Sequence, residues 1–219
     1  MKKLIIFGIG EQAEMAYYYF TNDSDYQVVG FTVDKEYISE ETLFNLPIIE
    51  FETIVQEYGT DNYELFVAIG YSKINKLRTE KYLACKEKGY QIASYISSKA
   101  SVFTENIGEN SFILEDNTIQ PYVEIGNNVT LWSGNHIGHH SVIKDNCFIT
   151  SHVVISGGCE VGENTFIGVN ATLRDHINIG ASNVIGAGAL ILGDTEDNKV
   201  YMVTATEVSK VPSNRLRGI

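Results

Sequence analysis

Basic residues are scarce in this chain of 219 residues: 16 Lys and Arg stand against 28 Asp and Glu, a formal net charge of −12. A protein that neutralises nucleic-acid phosphates needs a basic face, so a nucleic-acid partner is not expected. The acidity still allows an anionic small ligand, because backbone N–H groups and a few local cations can hold one. Long apolar runs are also missing. None approaches the roughly 20 residues that span a bilayer, so no membrane insertion is expected. Met1-Lys2-Lys3 followed by Leu4-Ile5-Ile6-Phe7 begins like a signal peptide, but Glu11 and Glu14 interrupt the apolar stretch, and it reads as a first β-strand. Cysteine is limited to Cys85, Cys147 and Cys159, with no CxxC pair and an odd one left over. That fits a reducing, cytoplasmic setting better than a disulfide framework.

What is present is a period of six. Counting from Ile107, the residues are Ile107, Ile113, Ile119, Ile125, Leu131, Ile137, Ile143, Ile149, Ile155, Val161, Ile167, Leu173, Ile179, Ile185 and Ile191, aliphatic without a break. Glycine follows directly at 108, 126, 138, 162, 168, 180 and 186, and small or modest residues such as Ser111, Val129, Cys147, Cys159 and Ala171 stand two before. An α-helix at 3.6 residues per turn cannot hold a six-residue stripe on one face. A triangular coil of three six-residue segments can. Each aliphatic then points inward and stacks on its counterpart eighteen residues later, with small residues at the corners and glycine expected to ease the turns. Cys147 and Cys159 accordingly read as buried small residues.

Before the repeats the pattern changes. Leu4–Phe7 is a buried-strand run, followed by Gly8-Ile9-Gly10-Glu11-Gln12-Ala13 and a helical stretch over about 11–20. A second strand, Tyr26–Val33, ends at Asp34; a third, Leu65–Ile69, ends at Gly70; and 75–88 has a helical pattern. Strands alternating with helices predict a small parallel α/β sheet. GxGxxA with an acid about twenty residues on is a variant of the dinucleotide fingerprint. Three readings stand: a plain strand-to-helix turn, a full NAD site, or a simpler nucleotide site. With about 95 residues before the repeats, half a dinucleotide is the preferred ligand, its diphosphate over Gly8–Gly10 and Asp34 facing a base or sugar hydroxyl.

The hexads resemble the hexapeptide-repeat family, whose members form left-handed parallel β-helices and usually assemble as trimers. A Rossmann-like domain followed directly by such coils resembles the sugar acyltransferases that include bacillosamine and perosamine N-acetyltransferases and the sialic-acid O-acetyltransferases. The resemblance implies a Rossmann-like nucleotide-sugar-binding domain at 1–99, a left-handed β-helix at 100–193, and a cap and tail at 194–219. Gly8, Gly10 and Asp34 match the family's nucleotide side, as does Ile69-Gly70-Tyr71-Ser72 with Asn75 and Arg78 behind it. The catalytic base is expected at His139, in Ile137-Gly138-His139-His140. Two positions depart from the family pattern: the acid after the base is His140, and a second histidine nine residues on is Phe148, with His152 its candidate replacement. Asn135, His136, His140 and His152 complete the expected acceptor side.

By the same resemblance, an acyl-CoA co-substrate would lie along Gly157, Gly158, Gly168, Val169, Ala187 and Gly188. The implied activity is acyl transfer to the amine of a nucleoside-diphosphate-linked sugar, feeding bacterial surface glycans such as O-antigen. Transfer to a sugar hydroxyl, or a non-catalytic solenoid that binds the same ligands, are the alternatives. No histidine pair has the His-x4-His spacing of the zinc-bearing left-handed helices, so no metal is expected. Tyr201-Met202-Val203 reads as a cap strand, and the basic tail Arg215-Leu216-Arg217 as solvated.

Overall fold

The computed structural model describes residues 2–215; Leu216 and Arg217 of the basic tail lie outside them. The N-terminal unit is built from β1 (Lys2–Phe7), α1 (Glu11–Asn22), β2 (Tyr26–Val33), β3 (Thr42–Leu43), β4 (Leu46–Glu50), α2 (Ile54–Glu57), β5 (Tyr63–Val67), α3 (Lys76–Glu87) and β6 (Gln91–Ile92). The strands form one sheet in the order β3-β4-β2-β1-β5-β6, parallel except for the β3–β4 hairpin. Leu4, Ile5, Ile6 and Phe7 are all buried, because consecutive side chains of β1 face opposite layers and both layers are covered. Ile5 and Phe7 pack with Leu65, Val67 and Cys85, while Leu4 and Ile6 pack with Ala13, Phe20 and Phe66.

From Tyr95 onward the chain winds into a three-sided parallel β-helix. Its first face runs from Tyr95–Ile96 to Val200–Tyr201, its second from Ser101–Val102 to Leu190–Ile191, and its third from Glu124–Ile125 to Asn178–Ile179. Ile113, Ile119, Leu131, Ile137, Ile143, Ile149 and their successors form a single buried column. Each fully buried aliphatic contributes roughly 1.5–3 kcal/mol relative to exposure.

The coil starts earlier than the period of six shows. Ile96 pairs with Ile113 and Val102 with Ile119, a spacing of seventeen, so this first turn falls out of the hexad count. At the other end Tyr201 pairs with Ile185 in a parallel register of sixteen, extending the first face.

Glycine also does something different from easing the turns. A Cβ on Gly138 would lie 2.5 Å from the Gly157 nitrogen, and one on Gly162 2.5 Å from the Ala181 nitrogen. These glycines let the next coil pass close by. The left-handed corner is two residues later and recurs every six residues from Asn110 to Gly188, held by Asn, Asp, Tyr, His, Ser and Gly. Asparagine and aspartate tolerate this conformation better than other non-glycine residues. Asn110, Asn128 and Asn146 also bond to one another along their column.

The two units share a core and specific bonds. Phe112 and Tyr95 of the first face pack with Phe20 and Phe66. Asn110 Oδ1 accepts the Val67 N–H at 2.8 Å, continuing β5 into the coil. Arg78 of α3 is fully buried against the first face, donating to Thr130 Oγ1 and to the Asn146 and Cys147 carbonyls at 3.0 Å. Burial without a carboxylate partner pulls its pKa down to about 9.

Candidate functional site

A cavity of about 1140 Å³ opens where the C-terminal ends of β1, β2 and β5 meet the solenoid. Parallel sheets leave such a crevice where neighbouring strands send the chain to opposite sides. Gly8 has φ +127°, and a Cβ there would lie 2.7 Å from the Ala68 carbonyl, so only glycine lets β1 and β5 turn outward side by side. Gly10 caps α1, and neither it nor Gly70 has any atom within 4 Å of where a Cβ would be. Gly8, Gly10, Asp34, Gly70 and Tyr71 all line this cavity.

The solenoid supplies the opposite wall through Trp132, Phe148, Thr150 and Ser151. Sequence reasoning did not place these here. The one available signal was that Trp132 is the chain's single tryptophan. Tyr71 packs on Phe148 and Phe166 with ring centroids 5.1 and 4.8 Å apart, and the Arg78 guanidinium lies 5.3 Å from the Phe148 ring. Phe148 is thus a buried platform for the cavity wall.

The charged lining is Glu11, Glu14, Asp34 and Lys81. Lys81 Nζ sits 2.9 Å from Asp34 Oδ2 and 3.3 Å from Glu80. Burial opposes its charge, but the bonds to Asp34 and Glu80 prevail and raise its pKa. Asp34 therefore faces the cavity already paired, and Lys81 is a second ligand-facing group that the sequence pattern did not single out.

Three residues expected at the site make structural contacts. Asn135 is buried; its Oδ1 accepts the Val153 N–H at 2.8 Å and its amide donates to the Trp132 carbonyl, so no polar atom is left for a substrate. Asn75 and Arg78 lie in the junction between the two units, where Asn75 donates to the Asn164 carbonyl.

The histidines separate by corner. His152 adopts the left-handed conformation where the first face turns into the second, its ring over Gly134 and next in sequence to the cavity-lining Ser151. His136 is half-buried in a strand of the second face. His139 and His140 are exposed at the next corner, where the second face turns into the third. A Cβ on Gly157 would lie 2.7 Å from His139 Cε1 and 2.8 Å from its Nε2, so the imidazole lies directly over that glycine. Gly158 is similarly covered by His176, whose Nδ1 is 3.1 Å from Asp175.

The expected CoA-side residues divide the same way. Gly157 and Gly158 lie at the His139 corner. Val169, Ala187 and Gly188 lie along the cavity corner, Val169 lining the cavity itself. Gly168 is buried, and its missing Cβ makes room for the Ala187 nitrogen 2.6 Å away. Within one chain these residues do not form one groove, because the two sets are not separated by multiples of eighteen. Among the described residues no group of three His, Cys, Asp or Glu side chains is arranged to hold a metal ion, and no helix is long and apolar enough to cross a membrane.

Residues 122–157 match the family model for bacterial transferase hexapeptide repeats. No curated protein matches the chain in sequence. Solved structures do match. A mutant perosamine N-acetyltransferase from Caulobacter crescentus, in complex with CoA and GDP-perosamine, is 22% identical over 91% of this chain and 93% of its own, with a TM-score of 0.79. The acetyltransferase domain of PglB from Neisseria gonorrhoeae FA1090 is 21% identical over 89% and 93%, with a TM-score of 0.74. WeeI from Acinetobacter baumannii AYE is 18% identical over 91% and 96%, with a TM-score of 0.75. The fold is an α/β unit joined to a parallel β-helix, consistent with the left-handed form, with hexapeptide repeats matched over residues 122–157. The chain shares that fold, along nearly its whole length, with the perosamine N-acetyltransferase and the PglB acetyltransferase domain.

Proposed function

We propose that the protein is an acyl-CoA-dependent N-acyltransferase acting on a nucleoside-diphosphate-linked amino deoxysugar, for bacterial surface glycan synthesis in the cytoplasm. The observation that carries this reading is the cavity at the strand ends, on a fold whose solved relatives include one with CoA and GDP-perosamine bound. The strand order and the Gly8–Gly10 turn support a Rossmann-like nucleotide site. There the first N–H groups of α1 and the Lys81 ammonium face the diphosphate, and Asp34 faces a ribose or base. Trp132 and Tyr71 offer apolar surfaces for the sugar.

His139 is the proposed base. Its ring is at a corner; the amine proton would pass to Nε2 as the nitrogen attacks the thioester carbon, and then to the CoA sulfur as the C–S bond breaks and the free thiol leaves. The thioester, when bound, supplies the acyl group. Gly157 and Gly158 leave room for the His139 and His176 rings at this corner, beside which the thioester would pass. The cavity and His139 lie on different corners of one chain, which supports a homotrimer whose active site forms between neighbouring subunits.

The test is free-thiol release from acetyl-CoA against UDP-, dTDP- and GDP-linked amino sugars, with products read by mass. A gain of one acetyl group on one acceptor, stable to mild alkali, is expected. An alkali-labile product would assign O-acylation. Binding of both ligands without turnover, across longer acyl-CoAs as well, would refute catalysis.

A further inference from the structure

We infer that His140 is a positioning residue: its Nδ1 accepts a hydrogen bond from the His139 Nδ1–H, holding His139 in the tautomer whose Nε2 can take a proton. The inference rests on the reading of His139 as the base.

The two Nδ1 atoms are 3.1 Å apart, and the rings meet edge-on at 85°. A bond at that distance needs one donor and one acceptor, which allows two arrangements. If His140 donates, the single proton of neutral His139 sits on Nε2, and the outward nitrogen over Gly157 cannot act as a base. If His139 donates, Nε2 is bare and lies at the corner. After Nε2 takes the amine proton, the Nδ1–H still has its acceptor, so no bond is lost during transfer. The partner of one ring nitrogen sets the state of the other.

His140 is built to stay in place. It occupies the recurring left-handed corner with φ +59°. Its ring packs on Tyr122, the corner residue of the preceding coil, with centroids 4.7 Å apart. Its N–H donates to the Pro121 carbonyl at 3.3 Å, and the His139 N–H donates to Gln120 Oε1 at 2.9 Å. Tyr122 thus faces the pair from one side. From the other, beyond Gly157 and Gly158, come His176 and its hydrogen-bonded partner Asp175. Among the described residues no carboxylate bonds to either imidazole of the pair.

A carboxylate at position 140 would favour the protonated imidazole at 139 and move the acid-side loss of activity to higher pH than a neutral imidazole there does.

Two substitutions test this without disturbing the coil. Glycine already holds this left-handed corner at 134, 158 and 188. His140→Gly therefore keeps the corner and takes away the sideways acceptor. His140→Asp keeps an acceptor and adds charge; Asp116 shows that aspartate fits the corner.

Imidazole 15N shifts of the free protein and the pH profile of kcat/KM are the readouts. The wild type is expected to show His139 protonated on Nδ1. In His140→Gly the proton should move to Nε2, with kcat down at least about tenfold and KM for both substrates unchanged. His140→Asp should recover rate and shift the acid limb upward. An unchanged His139 tautomer and kcat in His140→Gly would overturn the inference, as would an acid limb that stays put in His140→Asp. The tautomer is read without substrate. A tautomer change in a protein that transfers no acyl group would therefore uphold the pairing and sink the acyltransferase reading instead.

Discussion

Replacing Gly157 by alanine puts one methyl group under the His139 imidazole and changes little else. The added carbon would lie 2.7 Å from Cε1 and 2.8 Å from Nε2, where carbon contacts ordinarily settle at about 3.5–4.0 Å. The ring must withdraw by roughly 1 Å. Gly157 is not among the positive-φ glycines, so alanine brings no backbone strain, and the exposed ring can move without unpacking the core. Stability should change by less than about 1 kcal/mol. A catalytic group misplaced by about 1 Å costs on the order of 10²-fold, equivalent to about 2.7 kcal/mol of transition-state stabilisation. The assay is kcat/KM from thiol release, with thermal melting as the control for folding. His139→Asn alone should cost about 10²-fold or more. In that background Gly157→Ala should add little, because the group it displaces is already gone. A Gly157→Ala protein within twofold of wild type, or one that loses the same factor with and without His139, would refute a catalytic imidazole over Gly157.

Other outcomes follow from the cavity and the core. Asp34→Ala removes the partner of Lys81 on the cavity wall; KM for the nucleotide sugar should rise with KM for acyl-CoA unchanged, and the reverse pattern in steady-state kinetics would contradict the cavity assignment. Cys85 and Cys147 are buried, and burial pushes their thiols up to about 12. Cys159 is buried and raised as well. A disulfide reagent should therefore find three thiols in denaturant and almost none in the native protein over the same minutes.

Asp23 accepts bonds from the Ser98 N–H, the Tyr95 hydroxyl and the Ser97 hydroxyl, tying the end of α1 to the first coil. Those bonds lower its carboxyl from 3.8 to about 2. A depressed folded-state pKa stabilises the fold above the unfolded value, and that stability is lost as pH falls through the folded value. Asp23→Asn should melt below wild type at pH 5 to 7, and the gap should close as pH drops from about 4 to 2. A gap independent of pH would assign the effect to packing alone.

Most of the solenoid was legible because its physics is one-dimensional. Once Ile137 points inward, arithmetic in eighteens puts Gly157 beside His139, Gly158 beside His176 and Gly134 beside His152, and all three contacts are present. The coil's ends were not legible, since Ile96–Ile113 and Ile185–Tyr201 are spaced by seventeen and sixteen and slip out of the count. Nor was the left-handed corner, which Asn, Asp, Tyr, His, Ser and Gly all occupy. Asn135 looked like a ligand-facing polar residue. Only the fold shows both of its polar groups spent on backbone atoms of its own and the next coil.

By itself, then, the sequence determined the coil, its inward column, the Gly8–Gly10 turn and the histidine corner, because each depends on local conformation or a strict repeat. The tertiary structure decided where the α/β unit docks. Arg78 and Asn110 seat it on the first face, bringing Trp132 and Phe148 to Tyr71 and Lys81 around one cavity. That docking left His139 on another edge. No spacing in the chain encodes it, because it is made by contacts between residues 43 to 89 positions apart whose partners are backbone carbonyls and N–H groups that every residue carries.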